Sequence, residues 1–183
     1  LQQMGVEILY GAEYQAGIWD WIMKNKDEID FAYLNRPHIA TKYVDFIRKN
    51  TNIKIIYYGH DLHFLREYRE YELTGDIQKK RDSDYWKSIE FALMEKAAVA
   101  YYPSYVEENA IHAIRPELNV KAITAYVYEK FLENIDMDFA KREGLLFVGG
   151  FAHPPNADAV LWFAKEIYPL IRAKKEIPFY VVG

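Results

Sequence analysis

The stretch 145-LLFVGGFAHPPNADAVLWFAKEIYPLI-171 contains the pattern that decides the fold. A short apolar run, Leu145–Val148, is followed by a Gly-Gly turn and then by apolar residues at three-and-four spacing over Ala157–Ile171. A continuous apolar run is typical of a strand buried on both faces, and the spacing that follows is typical of an amphipathic helix. The stretch therefore predicts one strand–turn–helix unit of a parallel α/β sheet.

The same order of strand and helix recurs along the whole chain. The predicted strands are Val6–Tyr10, Phe31–Leu34, Ile53–Tyr58, Ala97–Tyr102, Val120–Tyr126, Leu145–Val148 and Phe179–Val182. The predicted helices are Ile18–Glu28, Ile39–Lys49, Asp82–Lys96, Tyr105–Ile114 and Ala157–Ile171. Alternation of this kind predicts an α/β fold with a Rossmann-like parallel sheet and right-handed crossovers.

Composition restricts the classes of function. The chain has 183 residues, 51% of them hydrophobic and 27% charged, which predicts a folded domain with a buried core. The net charge is −4 without a basic tail, so nucleic acid is not an expected partner. There is no cysteine, which excludes disulfides, zinc thiolates and thiol catalysis. No apolar run approaches the roughly 20 residues that a membrane-spanning helix needs.

Two long polar segments interrupt the alternation. Residues 62–83 include REYREYE and KKRDSD, and they form either a helix of their own or a mobile lid. Residues 129–143 are polar and lack strand character, which favours an interdomain connector. We therefore expect a partial first domain over residues 1–128 and the start of a second over 144–183. Because one βαβ unit rarely folds alone, the chain is interpreted as an internal piece of a longer two-domain protein.

The sequence IIYYGHDLHF, residues 55–64, contains the first candidate for chemistry. His60 and Asp61 follow a predicted strand, and parallel α/β sheets bind ligands outside the carboxyl ends of their strands. An imidazole can donate a hydrogen bond or a proton near neutral pH. In the alternative interpretation, Asp61 caps the next segment and His60 packs locally. No serine or cysteine nucleophile lies nearby in sequence, so a catalytic triad is not supported.

Two further strand ends have a polar residue in the same position. Arg36 can reach an anionic group or remain a surface arginine, and Pro37 after it is suited to opening a helix. Ser104, with Glu107 three residues later, predicts a capping box. That capping role is sufficient for Ser104, and a contact with a ligand would be additional.

The loop GGFAHPPNADA, residues 149–159, has two open interpretations. Gly149 and Gly150 allow close approach of backbone to a ligand, and the following helix offers free N–H groups. Asn156 as the N-cap and Asp158 in the first turn also explain the loop without any ligand. The loop is neither a P-loop nor the G-x-G-x-x-G pattern of dinucleotide-binding folds.

Taken together, three stretches resemble one family. LLFVGGFAHPPNADAVLWFAKEIYPLI resembles the opening βα unit of the C-terminal domain of group 1 glycosyltransferases, in the subgroup with the loop G-x-x-x-x-x-P-N-x-D-A. IIYYGHDLHFLRE resembles that group's His-Asp strand end, and AVAYYPSYVEEN resembles its strand–Ser–helix unit. The resemblance implies the two-domain GT-B fold, with most of the N-terminal domain and the first βαβ unit of the C-terminal domain.

The resemblance also implies a function. Retaining enzymes of this family transfer a sugar from a nucleotide-sugar donor to an acceptor, which here would be an unknown carbohydrate, lipid or small molecule. No metal site and no cofactor are implied. The resemblance implies that His60 lies near the transferred sugar and that Gly149, Gly150 and Phe151 line the diphosphate or the acceptor side of the cleft. With the strand-end candidates added, the predicted catalytic residues are His60 and Asp61, and the predicted donor contacts are Arg36, Ser104, Gly149, Gly150 and Phe151. The implied location is cytoplasmic, with peripheral membrane contact if the acceptor is a lipid.

The chain also departs from the family pattern. His153 and Asn156 stand where many relatives have an arginine and a lysine aimed at the diphosphate, and the Glu-x7-Glu donor element would lie beyond Gly183. We therefore expect this chain alone to be inactive in transfer. Two alternatives stay open: a GT-B-like nucleotide-sugar epimerase, and a non-enzymatic receiver-like regulatory module with Asp61 as the phosphoacceptor.

Overall fold

The structure is a computed structural model that describes residues 2–124, 127–128, 130 and 138–183. Its internal contacts divide the chain into two compact units, Leu1–Val127 and Tyr128–Gly183, which we call the first unit and the second unit. Residues 129 and 131–137 of the predicted connector lie outside the described residues. So do residues 125 and 126 of the strand predicted over Val120–Tyr126.

The first unit is a mixed α/β structure built on a four-stranded sheet. Its strands are β1 (Phe31–Asn35), β2 (Lys54–Tyr58), β3 (Val99–Tyr102) and β4 (Val120–Ala122). Its helices are α1 (Ala12–Asn25), α2 (Pro37–Asn50), α3 (His63–Thr74), α4 (Ile77–Lys96) and α5 (Tyr105–His112), after a short 3-10 turn over Gln2–Met4. All neighbouring strands are parallel, in the order β1-β2-β3-β4. This arrangement is compatible with the predicted Rossmann-like α/β fold.

The strand order determines which face of the sheet is covered. Each crossover moves to the next strand in the same direction, and right-handed crossovers of this kind place their helices on one face. On that face the sheet contributes buried side chains to the core: Leu34, Ile55, Tyr57, Ala100, Tyr102 and Val120. On the opposite face Tyr33 is 58% exposed and Ile123 is 45% exposed. Within the described residues, the first unit therefore has one open sheet face.

Residues 62–83 form a helical hairpin. Gly75, with φ 72°, ends α3, and the Asp76 side chain accepts a hydrogen bond from the Gln78 N–H at the start of α4. Ser83 is buried and its Oγ donates to the Phe64 carbonyl oxygen at 2.8 Å, which joins the two helices. Of the two predicted alternatives, the structure favours a packed helical segment.

The strand predicted over Val6–Tyr10 is wrong. Residues 6–10 have no regular structure, and Val6, Ile8 and Tyr10 are exposed. A strand needs a neighbour to satisfy its backbone groups, and β1 is the first strand of the sheet on that side. Helix α1 begins at Ala12, six residues before the predicted start, because Ala12–Ala16 is rich in helix-forming residues and has Glu13 in its first turn.

The second unit is a small βαβ arrangement. Strands β5 (Leu145–Val148) and β6 (Phe179–Val182) have the predicted bounds and pair in parallel. The helix between them consists of α6 (Pro154–Trp162), a π-helical turn (Phe163–Ile167) and α7 (Tyr168–Arg172), and a 3-10 turn (Phe139–Lys141) precedes β5. Pro169 has no N–H to donate to the preceding turn, which explains the widened helix at this point.

The predicted N-cap of this helix is also wrong. The helix begins at Pro154, and His153 is the N-cap residue. Proline at the first helical position is favourable because its fixed φ fits the helix and no N–H is lost, so the helix starts before Asn156. The Asn156 side-chain amide instead donates to the Gly150 carbonyl oxygen at 3.0 Å.

Candidate functional site

Two strained residues mark the carboxyl edge of the four-stranded sheet. Arg36 follows the end of β1 with φ 66°, and His60 lies two residues beyond the end of β2 with φ 67°. In the part of the chain that the structure describes, no other non-glycine residue has a positive φ. This conformation costs an L-residue on the order of 1–2 kcal/mol and tends to be kept at functional sites. The strain therefore identifies this edge as the candidate site.

The His60 side chain is held between β1 and β2. Its Nε2 forms a hydrogen bond with Asn35 Oδ1, and its ring contacts the Tyr58 ring edge-on at 4.6 Å between centroids. Because Asn35 Oδ1 can only accept, the proton of this hydrogen bond comes from Nε2. The Nδ1 atom of a neutral His60 ring is then a free hydrogen-bond acceptor.

The surroundings of His60 favour its neutral form. Partial burial has the largest effect on the pKa of His60 and lowers it. The positive charge of Arg36 lowers this pKa further, and the negative charge of Asp61 raises it by a smaller amount. These effects favour the neutral imidazole. The Arg36 guanidinium makes no ion pair within the residues that the structure describes, so its charge is available to an anionic ligand.

A pocket of about 530 Å³ opens beside His60 on the open sheet face. We call it the aromatic pocket, and it is lined by Tyr33, Ile56, Tyr58, His60, Tyr101, Ile123 and Thr124. Tyr33 and Tyr58 are stacked at 6.2 Å between ring centroids, and Tyr58 lies opposite Tyr101 in the sheet. A concave surface of aromatic groups with a few polar atoms is typical of a small-molecule site.

Asp61 lies next to His60 but does not line the aromatic pocket. Its carboxylate forms an ion pair with Arg66, and Asp61 Oδ1 lies 3.8 Å from His63 Nδ1. The alternative in which Asp61 caps the following segment is wrong. The N-cap residue of α3 is Leu62, whose side chain makes no capping hydrogen bond. Glu90 of α4 supplies the cap, since its carboxylate accepts hydrogen bonds from the N–H groups of His63 and Phe64.

Ser104 has the capping role predicted from its spacing to Glu107. Its Oγ accepts a hydrogen bond from the Val106 N–H at 3.2 Å and donates to the Glu107 carboxylate. Both functions of the hydroxyl are therefore used within the helix terminus, and Ser104 is not among the residues that line the aromatic pocket.

The remaining predicted residues lie in the second unit. A Cβ on Gly149 would lie 2.9 Å from Asn156 Nδ2 and 3.0 Å from the Phe147 ring, so a larger residue at this position would displace the Asn156 side chain. Gly150 has open space at its Cα, and Phe151 is partly exposed with its ring stacked on Phe147 at 6.4 Å. Of these positions, Gly150 offers the open backbone that a ligand contact needs.

Several residues of the site were not predicted. They are Asn35 and the pocket tyrosines Tyr33, Tyr58 and Tyr101, together with Glu90 behind the loop. A signal for Glu90 exists, because a carboxylate at this position lies on the apolar face of α4, four residues from Trp86 and from Met94. No local signal identifies the tyrosines, because the strand order decides which face of the sheet is left without helices, and the tyrosines lie on that face.

Among the described residues, no group of three histidine, aspartate or glutamate side chains is arranged to hold a metal ion. Of the described helices, none combines the length and the apolar character needed to cross a membrane.

Comparison with known proteins gave no relative. A scan against protein-family models, a search of curated proteins and a search of solved structures each found no match to this chain. A function for the chain therefore has to be argued from the chemistry of its site.

Proposed function

We propose that this chain belongs to a retaining glycosyltransferase of the GT-B type, in which the aromatic pocket holds the acceptor and His60 faces the transferred sugar. The observation that carries the proposal is the position of His60, which is strained, tied to Asn35 and open to the aromatic pocket. Ligands of parallel α/β sheets bind at this edge. The order of motifs that resembles group 1 glycosyltransferases supports the same function.

The aromatic pocket suits an acceptor that contains a ring. Tyr33 presents an exposed flat apolar surface with a hydroxyl group at its far end, and Tyr101 is half-buried in the same wall. Tyr58 is buried and supports the Tyr33 ring by stacking on it. A sugar ring has apolar C–H faces and a polar rim, so it can stack on tyrosine while its hydroxyl groups form hydrogen bonds. Thr124 and His60 add polar atoms to the wall, and such groups fix the orientation of a bound molecule.

His60 acts in this proposal as a neutral hydrogen-bonding group. Its Nε2–H is held by Asn35, so Nδ1 can accept a hydrogen bond from a sugar hydroxyl. A group fixed in this way orients the reacting sugar, and a positioned acid or base contributes on the order of 100-fold or more to rate. Asp61 is engaged by Arg66, which leaves His60 as the residue that contacts the reacting atoms.

The leaving group in such a reaction is a nucleoside diphosphate. Stabilising its developing negative charge lowers the barrier, and Arg36 supplies a positive charge at the same sheet edge as His60. In the second unit, taken by itself, Gly149, Gly150 and Phe151 stay predicted donor contacts, and a Cβ at Gly150 would meet nothing within 4 Å, so its backbone is open to a ligand.

The two other hypotheses have less support at this site. A receiver-like module needs several carboxylates around its phosphoacceptor, but Asp61 is paired with Arg66. A nucleotide-sugar epimerase would use a nucleotide sugar without an acceptor. The aromatic pocket favours a transferase over an epimerase because it offers a second ring-binding surface.

The proposal is tested by titrating the 15N-labelled chain with nucleotide sugars and with free monosaccharides. We expect monosaccharides to shift the amide signals of Tyr58, His60 and Tyr101. The Tyr33→Ala variant should weaken this binding several-fold. Tyr85→Ala is the matched control, because Tyr85 is 60% exposed and lies on α4, away from the aromatic pocket. If neither class of ligand perturbs these signals, the proposed function is wrong.

The second measurement is the kcat of sugar transfer, in a form of the protein that has transferase activity. His60→Ala should lower kcat by about tenfold or more, which is the scale of losing a positioned hydrogen-bonding group. An unchanged kcat in a variant with a native circular dichroism spectrum would remove His60 from the mechanism.

A further inference from the structure

Glu90 is a fully buried acidic residue in the middle of α4. Its Oε1 accepts hydrogen bonds from the His63 N–H and from His63 Nδ1, both at 2.9 Å, and its Oε2 accepts one from the Phe64 N–H at 3.2 Å. His63 and Phe64 are the first residues of α3, so their two backbone N–H donors are among the free N–H groups of a helix start. Glu90 thus fixes the first turn of α3 from a different helix.

Gly59 is fixed at the other side of the same loop. A Cβ at Gly59 would lie 2.2 Å from Cε1 of the buried Tyr102 ring, so the backbone rests directly on that ring. The Gly59 N–H donates to the Tyr101 carbonyl oxygen at 3.1 Å, which continues the sheet pairing. We call Gly59–Leu62 the His60 loop; it is held at one end by Tyr101 and Tyr102.

His60 lies between these two fixed ends with φ 67°. A left-handed conformation in a residue that has a Cβ persists when the surrounding structure determines the backbone on both sides. Gly59 provides one side through its contact with Tyr102. Glu90 provides the other through its three hydrogen bonds to the start of α3.

We propose that Glu90 is a positioning residue, which fixes the end of the His60 loop and so keeps the His60 imidazole against Asn35. Glu90 makes no hydrogen bond to His60 and does not line the aromatic pocket, so it acts through the backbone of the loop. The inference rests on the proposed function, because a fixed imidazole matters for transfer only when His60 faces the substrate. The positioning itself is measurable without any ligand.

A double-mutant cycle tests the coupling between Glu90 and His60. Glu90→Gln keeps the size of the side chain, but its amide nitrogen cannot accept the Phe64 N–H. His60→Gly removes the strain, because glycine adopts positive φ freely. We expect Glu90→Gln to speed amide exchange of β2 and β3 by about tenfold in the wild-type background, and by about threefold or less in the His60→Gly background.

If Glu90→Gln speeds amide exchange by the same factor in the wild-type and the His60→Gly backgrounds, the proposal is overturned. A helix cap that is independent of His60 gives such additive effects. If Glu90→Gln alone does not fold, the double variant decides the question. Recovery of folding by His60→Gly supports the proposal, and failure to recover overturns it. Glu95→Gln is the matched control on α4, because Glu95 is partly exposed, pairs with Arg115 and should show no coupling to His60.

The ring nitrogens of His60 give a readout that a change in stability alone does not move. In the wild type we expect one fixed tautomer with the proton on Nε2, because Asn35 accepts it. In folded Glu90→Gln the His60 15N signals should move towards an average of both tautomers, while those of His112 and His153 stay in place. Unchanged His60 signals would overturn the proposal. Coupling in the cycle without any sugar binding would instead reject the proposed function and leave the positioning role.

Discussion

At the scale of single residues, the left-handed conformation of His60 is the feature that links backbone to function. Arg36 shares this conformation, and each lies just after a strand at the same sheet edge. Side chains with a Cβ carry a cost in this region of φ and ψ that glycine does not. A residue kept there against that cost indicates that the position of its side chain is used, which here brings the imidazole to Asn35 and the aromatic pocket.

The cost predicts an order of stability between two variants of His60. His60→Gly should be more stable than His60→Ala by about 1 kcal/mol, because both lose the imidazole but glycine alone relieves the strained φ. Urea unfolding of the first unit, with amide exchange in β2 and β3 as the second probe, measures the difference. Alanine at this position being as stable as glycine would contradict the φ of 67°.

At the scale of elements, the α3–α4 hairpin depends on a few buried polar contacts. Ser83 is buried in α4, and its hydroxyl donates to the Phe64 carbonyl oxygen of α3. Lys79 of α4 reaches Glu67 and Glu70 of α3, each at 2.9 Å. These contacts explain why a segment with so many charges packs as two ordered helices beside the His60 loop.

The contribution of the Ser83 hydrogen bond to stability can be measured by comparing Ser83→Ala with the same substitution at another serine of α4. Ser83→Ala should cost about 1 kcal/mol of unfolding free energy, because it leaves the buried Phe64 carbonyl oxygen without its side-chain donor. Ser88→Ala is the control, since Ser88 is exposed and bonds only to Tyr85 within α4. Chemical denaturation of both variants gives the comparison. Equal, small losses would show that the interhelical hydrogen bond contributes no net stability.

The ion pairs of the hairpin predict a dependence on pH. Burial alone raises the pKa of Glu67, but the hydrogen bonds and charges of Lys79 and Arg66 outweigh burial and lower the pKa below its usual range. A carboxyl whose pKa is lower in the folded state stabilises that state above its unfolded pKa of about 4.3, and this stability is lost as the pH falls through the folded pKa.

Glu67→Gln therefore should destabilise the first unit at pH 7 and have a smaller effect at pH 3, because below the unfolded pKa of about 4.3 the charged carboxyl contributes less to stability. Urea midpoints at both pH values measure the difference between variant and wild type. Glu72→Gln on the same helix controls for the removal of one exposed charge. A larger effect at pH 3 than at pH 7 would contradict the direction of the Glu67 shift.

The helices and strands also show which features of the fold local sequence patterns can predict. Strands β5 and β6 have their predicted bounds, because continuous apolar runs between turn residues are local signals. Val6–Tyr10 has the same local pattern but lacks a neighbouring strand, and pairing is not encoded in the run itself. The positions of His60 and Arg36 after strands follow from the sequence, because strand ends are visible in it. The pocket tyrosines depend on the strand order, which no local pattern shows. Glu90 is visible locally as a carboxylate on the apolar face of α4, but its hydrogen bonds to α3 depend on how the two helices pack.

At the scale of the whole molecule, the two units differ in how completely they bury their strands. In the first unit, Ile55, Tyr57, Ala100 and Tyr102 are buried in a continuous core under the helices. In the second unit the inner positions are half-buried at most, and no described side chain between residues 138 and 183 is fully buried. Both β5 and β6 have the apolar composition of strands covered on two faces, but Leu146, Val148, Tyr180 and Val182 are exposed.

This difference predicts unequal protection of the backbone. Amide hydrogens in β2 and β3 should exchange slowest, because they open only when the buried core of the first unit unfolds. Amides in β5 and β6 should exchange at least about 100-fold faster, since few apolar contacts oppose local opening there. Hydrogen–deuterium exchange of the intact chain, resolved by peptide, measures both sheets in one sample. Comparable protection in β5 would mean that its apolar outer face is covered in solution, for example by a second copy of the chain, and repeating the exchange at a series of protein concentrations would identify such a copy.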